Sequence, residues 1–166
     1  MIGICGASGF IGLSLYNKLV SKGETVLGTF CNNFKPGMVR FDLRKDNMNI
    51  FDQCEYVIIL SAYCKIKYCQ DNPAEAFWLN VYKTSELLFY LNEKGIPALF
   101  VSSDAAVKEG LRDMTYGKYK KLVEKYIKKK KLKADFIRPG KIDKKNIQDL
   151  CEKICEQVWA YRGRKE

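Results

Sequence analysis

The sequence predicts a doubly wound α/β domain, a mostly parallel sheet of about six strands between two layers of helices. Three observations lead there. Short β-rich apolar runs alternate with longer stretches of helical periodicity, the order that builds a parallel sheet with crossover helices. The first run ends in a glycine-rich turn, Gly6-Ala7-Ser8-Gly9-Phe10-Ile11-Gly12, that opens the first helical stretch. Finally, 166 residues are enough for a domain with its own core, so residues 1–166 are read as one unit.

Strands are expected at residues 1–5, 25–30, 38–41, 56–60, 98–102 and 134–138, and helices at 11–22, 73–94, 116–131 and 146–161. The first strand is apolar from Met1 onward and lacks the basic leader and long apolar stretch of a signal peptide, so a cytoplasmic location is expected. Helix 11–22 stops at Gly23 and helix 73–94 at Gly95, residues that accept the left-handed backbone closing a helix. Pro73 stands in a first turn, where its missing N–H costs nothing. Asp113 and Thr115 are the expected capping residues of helix 116–131. Helix 146–161 carries Ile147, Leu150, Cys151, Ile154, Val158 and Trp159 on one face, which either packs on the sheet or pairs with another copy.

Composition narrows the function. No apolar run approaches the ~20 residues that cross a bilayer, so no membrane role is expected. Seven cysteines without a secretion signal read as reduced thiols, and the absence of histidine and of any C-x-x-C pair argues against a metal site. A formal charge of +10 favours an anionic partner: a dinucleotide, a sugar nucleotide or a nucleic acid. Much of the excess lies between Lys118 and Lys133, including the run Lys128 to Lys131, so that helix reads as a solvated basic face, and nucleic-acid binding is the least favoured of the three.

The glycine turn points to a dinucleotide. Between a first strand and a first helix, one glycine permits the sharp bend, another lets the backbone approach a pyrophosphate, and the last lets helix and strand pack closely. The amides of the helix start, with Ser8, Phe10 and Ile11, then face the phosphate charge. The second strand ends Thr29-Phe30-Cys31-Asn32-Asn33, with Lys35 close behind and no acid to hold the 2′-hydroxyl of NAD, so NADP is favoured over NAD.

The spacing G-x-x-G-x-x-G resembles that of the extended short-chain dehydrogenase/reductase family, which includes sugar-nucleotide epimerases, dehydratases and dTDP-4-dehydrorhamnose reductases. The resemblance implies a Rossmann-type fold and runs from about Met1 to Ile142. It implies that Thr29, Asn32, the pair Asp42-Leu43 and the residues Ser61 and Ala62 past the fourth strand line the cofactor site. Asn80 matches an asparagine the family often keeps in its long helix, and Arg138-Pro139-Gly140 resembles the turn bordering the nicotinamide.

Phe100-Val101-Ser102-Ser103-Asp104 looks like the strand bearing the family's active-site hydroxyl, best matched by Ser103. Tyr116-Gly117-Lys118-Tyr119-Lys120 resembles its Y-x-x-x-K element, with Tyr116 as acid/base and Lys120 as its electrostatic partner and a holder of the nicotinamide ribose. Residues four apart share a helix face, so an ammonium can stand beside the phenol and favour the phenolate. The pairs Tyr63-Lys67, Tyr90-Lys94, Tyr126-Lys130 and Tyr161-Lys165 show the same spacing, and only Tyr116 opens a helix just after a strand ending in serines.

The chain departs from the family in two places. Only residues 104–115 separate the serine strand from Tyr116, where the family has a longer loop. Past the sixth strand one helix replaces the family's substrate-binding region, which leaves little to recognise a sugar unless a second copy or another polypeptide supplies it. The resemblance thus implies an NAD(P)-dependent reductase or epimerase acting on a carbonyl or alcohol of a sugar nucleotide or similar small molecule. The alternative is a non-catalytic NAD(P)-binding sensor or subunit.

Overall fold

The structure is a computed structural model that describes residues 1–163; Lys165, half of one of the Tyr–Lys spacings, lies outside them. Six strands form one sheet: β1 Ile2–Cys5, β2 Val26–Phe30, β3 Val39–Arg40, β4 Tyr56–Ile59, β5 Ala98–Val101 and β6 Ala134–Ile137. Their order is β3-β2-β1-β4-β5-β6 and every pairing is parallel, as in a Rossmann-type sheet.

The central strands β1, β4 and β5 are buried at every position because both faces are covered. In β4, Val57 and Ile59 join a core with Leu87, Leu88, Leu91, Val123 and Ile127. Tyr56 and Ile58 point the other way, into a core with Leu15, Leu19, Leu150, Ile154 and Val158. The first layer is built by α4 (Thr84–Glu93) and α5 (Thr115–Lys130), the second by α1 (Phe10–Ser21) and α6 (Ile147–Arg162). The apolar face of α6 is therefore used within the fold, with Ile147, Leu150, Cys151, Ile154 and Val158 all buried. Arg162 ties its end to Glu24, just before β2, and to Glu55, just before β4.

The helix terminators act as expected: Gly23 and Gly95 take φ of +82° and +69°, and Pro73 opens its helix. Other expectations need correction. The stretch 73–94 is three segments, α3 (Pro73–Phe77), a π-helical turn (Trp78–Lys83) and α4, and it is preceded by the unexpected short helix α2 (Ile66–Asp71). The wider turn has a tertiary cause that periodicity does not carry: it accompanies Asn80, 2% exposed, turned inward onto the loop after β4. Neither Asp113 nor Thr115 caps α5; Met114 holds the cap position and no side chain bonds there. No helix among the described residues is long and apolar enough to cross a membrane.

Candidate active site

The strand order reverses between β1 and β4, and beside that switch point, along the carboxyl ends of the strands, lies a cavity of about 660 Å³. Its first wall is the glycine turn. Gly6 has φ of +91°, and a Cβ there would stand 2.8 Å from the Ser61 backbone nitrogen. A Cβ on Gly12 would run into the Gly6 carbonyl, whereas one on Gly9 would meet only Gly6 O at 3.5 Å. Two glycines thus bring chain segments together and the third leaves the turn open. Thr29 secures the bend, its hydroxyl accepting from Gly6 N at 3.0 Å and donating to Ile4 O at 3.2 Å. No side chain caps α1, and its first-turn N–H groups at Phe10, Ile11 and Gly12, all on the cavity wall, have no acceptor within the helix.

At this end of the cavity, Asp42 and Arg44 face the loop after β4. Arg44 Nε and Nη2 donate to the two Asp42 oxygens, each at 2.9 Å, and Nη1 donates to the Tyr63 hydroxyl at 3.0 Å. The Tyr63 hydroxyl in turn donates to Glu75 at 2.5 Å. The guanidinium holds the Asp42 carboxyl down to about 2, while burial, with Glu75 as the next cause, pushes the Tyr63 phenol up to about 12. Asn80 clamps the same loop, accepting from Tyr63 N at 2.8 Å and donating to Tyr63 O at 2.9 Å.

At the other end stand Ser103, Tyr116 and Lys120. Lys120 is 4% exposed, its Nζ donates to Val101 O at 2.9 Å, and it lies 4.6 Å from the Phe100 ring centre and 5.8 Å from that of Tyr116. Burial pushes its ammonium down to about 8. Burial likewise pushes the Tyr116 phenol up to about 12, against the opposing pull of the Ser103 hydroxyl. At both groups burial is the largest cause of the shift. The lysine points at a carbonyl, and both groups have lost water.

All but one of the expected site residues lie on this cavity: Gly6, Ser8, Gly9, Phe10, Ile11, Gly12, Thr29, Asn32, Asp42, Leu43, Ser61, Ala62, Ser103, Tyr116 and Lys120. Arg138 is the exception. Its guanidinium turns away to Glu124, with Nε and Nη2 donating at 2.8 and 2.7 Å, while Pro139 and Gly140 line the wall in its stead. Sequence reasoning missed Arg44, Tyr63, Cys64 and Glu124. Arg44 and Tyr63 directly follow expected site residues, Cys64 comes next after Tyr63, and Glu124 continues the four-residue spacing of Tyr116 and Lys120. The short loop before α5 packs on its first turn, where a Cβ on Gly117 would collide with the carbonyls of Ala105 and Leu111. Among the described residues no three metal-ligating side chains converge.

Residues 2–137 match the model of a family described as NAD dependent epimerase/dehydratase. No curated protein matches the chain. Among solved structures, the chain is similar to MoeE5 in complex with UDP-glucose and NAD, at 20% identity and a TM-score of 0.71 over 81% of this chain and 52% of that one. A hypothetical dTDP-4-dehydrorhamnose reductase from Sulfolobus tokodaii gives 20%, 0.71, 84% and 55% in the same terms. A UDP-glucose 4-epimerase gives 22%, 0.69, 84% and 51%. The chain spans about half the length of these proteins, and at such identities the likeness is one of fold.

Proposed function

Because the chain belongs to the NAD dependent epimerase/dehydratase family, we propose that its cavity holds a nicotinamide dinucleotide and that a carbonyl or alcohol, of a sugar nucleotide or similar small molecule, reacts at the Tyr116 end. One observation carries this reading. A single cavity has the open glycine turn and the free amides of α1 at one end and Ser103, Tyr116 and Lys120 at the other. The turn fits a diphosphate: Gly6 and Gly12 let its segments close tightly, Gly9 leaves it open, and the first-turn amides of α1 have no acceptor within the helix.

When bound, the nicotinamide supplies or accepts hydride. The chain's residues handle the proton and the oxygen. The Ser103 hydroxyl orients the substrate oxygen. The Tyr116 phenol, neutral in the free site, gives a proton to that oxygen in the reducing direction. Lys120, its Nζ held by the Val101 carbonyl, supplies the cation that steadies the phenolate left behind. NADP is the favoured form, because no acid closes β2 and the Arg44 guanidinium lies 3.9 Å from Cys31 Sγ at that strand's end.

A second reading, a dinucleotide-binding sensor or subunit without turnover, is favoured by the high proton affinity of Tyr116 and by the present direction of Lys120. Calorimetric titration with NADPH and NADH, followed by a nicotinamide absorbance assay over nucleotide-sugar carbonyls, separates the two. The enzyme reading expects turnover that Tyr116→Phe lowers at least a hundredfold with dinucleotide affinity kept, on the scale of a lost general acid of about 10² to 10⁴. Binding without turnover in either protein supports the sensor. No binding of either dinucleotide at millimolar concentration removes both.

A further inference from the structure

The proposed chemistry makes no use of Glu124, yet this carboxylate is only 2% exposed. Burial raises its proton affinity, but hydrogen bonds from Arg138 and Ser102 outweigh that and keep it below the usual glutamate range. Ser102 Oγ donates to Oε1 at 2.7 Å, Arg138 Nε to the same oxygen at 2.8 Å, and Arg138 Nη2 to Oε2 at 2.7 Å. The three residues belong to three elements. Glu124 lies on α5, one step of the four-residue spacing beyond Lys120; Ser102 follows β5 and precedes Ser103; Arg138 follows β6 and precedes the wall residues Pro139 and Gly140.

We propose that Glu124 is the positioning residue of this corner: by gripping Ser102 and Arg138 it fixes α5 against the ends of β5 and β6, and it keeps a negative charge beside the Lys120 ammonium. Packing alone would be served as well by an apolar side chain of the same size, without the cost of desolvating a charge. A carboxylate at this point does what an apolar side chain cannot, joining three elements while biasing a cation. The groups that act on Lys120 are Glu124 on its own helix, Cys64 from the loop after β4 and Cys69 from α2, while β5 presents the Val101 carbonyl and the Phe100 ring. Glu124 is the carboxylate among them, and Arg138 and Lys121 are the cations facing it.

The importance of this corner rests on the function proposed above, but the test does not require it. Lysines labelled with carbon-13 at Cε are titrated by NMR in the free protein, and the Lys120 signal is assigned by its loss in Lys120→Met. Glu124→Gln keeps the size and an acceptor for Ser102 while removing the charge, so the Lys120 midpoint falls measurably below that of the wild type. Arg138→Met leaves the carboxylate charged and removes its cation, so the midpoint rises. Opposite displacements are what loosened packing alone does not produce. A midpoint that neither variant moves, in proteins whose near-ultraviolet circular dichroism matches the wild type, overturns the proposal. If Glu124→Gln does not fold, Arg138→Met decides: a rise supports the role of Glu124, and no change overturns it. Failure to bind dinucleotide would sink the proposed function and leave this result standing, whereas an immobile Lys120 midpoint would do the reverse.

Discussion

Replacing Lys120 by methionine is expected to stabilise the protein near neutral pH and to lose that advantage as the pH rises. Burial pushes the ammonium from its usual 10.5 down to about 8. Between those values the unfolded chain binds a proton that the folded chain lacks, so wild-type stability climbs with pH through this window. Below it both states are protonated, and the folded state carries a penalty of about 3 kcal/mol at pH 7. Methionine removes the penalty but also the donor to Val101 O, which costs about 1–2 kcal/mol. The net expectation is a gain of about 1–2 kcal/mol at pH 7, or a midpoint temperature raised by roughly 2–8 °C for a chain of this size.

The sharper quantity is the change in that difference with pH. Integrating the linkage from pH 7 to about 9.5, the wild type should recover about 2 kcal/mol relative to the variant, because every other titrating group is common to both. Urea unfolding under reducing conditions, followed by tryptophan fluorescence at several pH values, measures it directly. Two stability curves that stay parallel over this range would show that Lys120 is not a desolvated ammonium, and the reasoning about the corner would fall with it.

Other perturbations test other parts of the site. Gly6→Ala forces a side chain onto a φ of +91° and against the Ser61 backbone; a cost of about 2 kcal/mol or more is expected, visible as a fall of several degrees in a thermal melt. Asp42, held at about 2 by Arg44 against its usual 3.8, contributes stability that is present above about pH 4 and is lost as the pH falls through about 2. Asp42→Asn is therefore expected to cost about 2 kcal/mol at pH 7 and to converge with the wild type in acid, as read by urea unfolding at each pH. Arg44→Ala is expected to weaken NADPH about tenfold more than NADH in calorimetry, the size of one lost charge-assisted contact; equal losses would remove Arg44 as the reader of the 2′-phosphate.

The fold was legible because its signals are local. A run such as Tyr56-Val57-Ile58-Ile59 is apolar at consecutive positions only where both faces of a strand are covered. Gly23, Pro73 and Gly95 punctuate helices through backbone properties that travel with the residue. Where a signal depended on distant partners, the reading failed. The π-helical turn at Trp78–Lys83 accompanies an asparagine gripping a loop 17 residues earlier, and periodicity carries no trace of that. Arg138 stands in the turn that the family resemblance pointed to, but its guanidinium follows Glu124, 14 residues away.

The residues alone determined the six strands and the long helices, their order, the glycine turn and the family, since each rests on spacing within a few turns or on a motif in its place along the chain. The tertiary structure alone decided which polar groups meet. Arg44 joins Asp42 to Tyr63 because β3 and β4 end on the same side of a parallel sheet. Lys120 became a dehydrated cation aimed at a carbonyl because α5 lies against β5. Charge, hydration and hydrogen bonding belong to the space between elements, and that space exists only once the sheet order β3-β2-β1-β4-β5-β6 has been set.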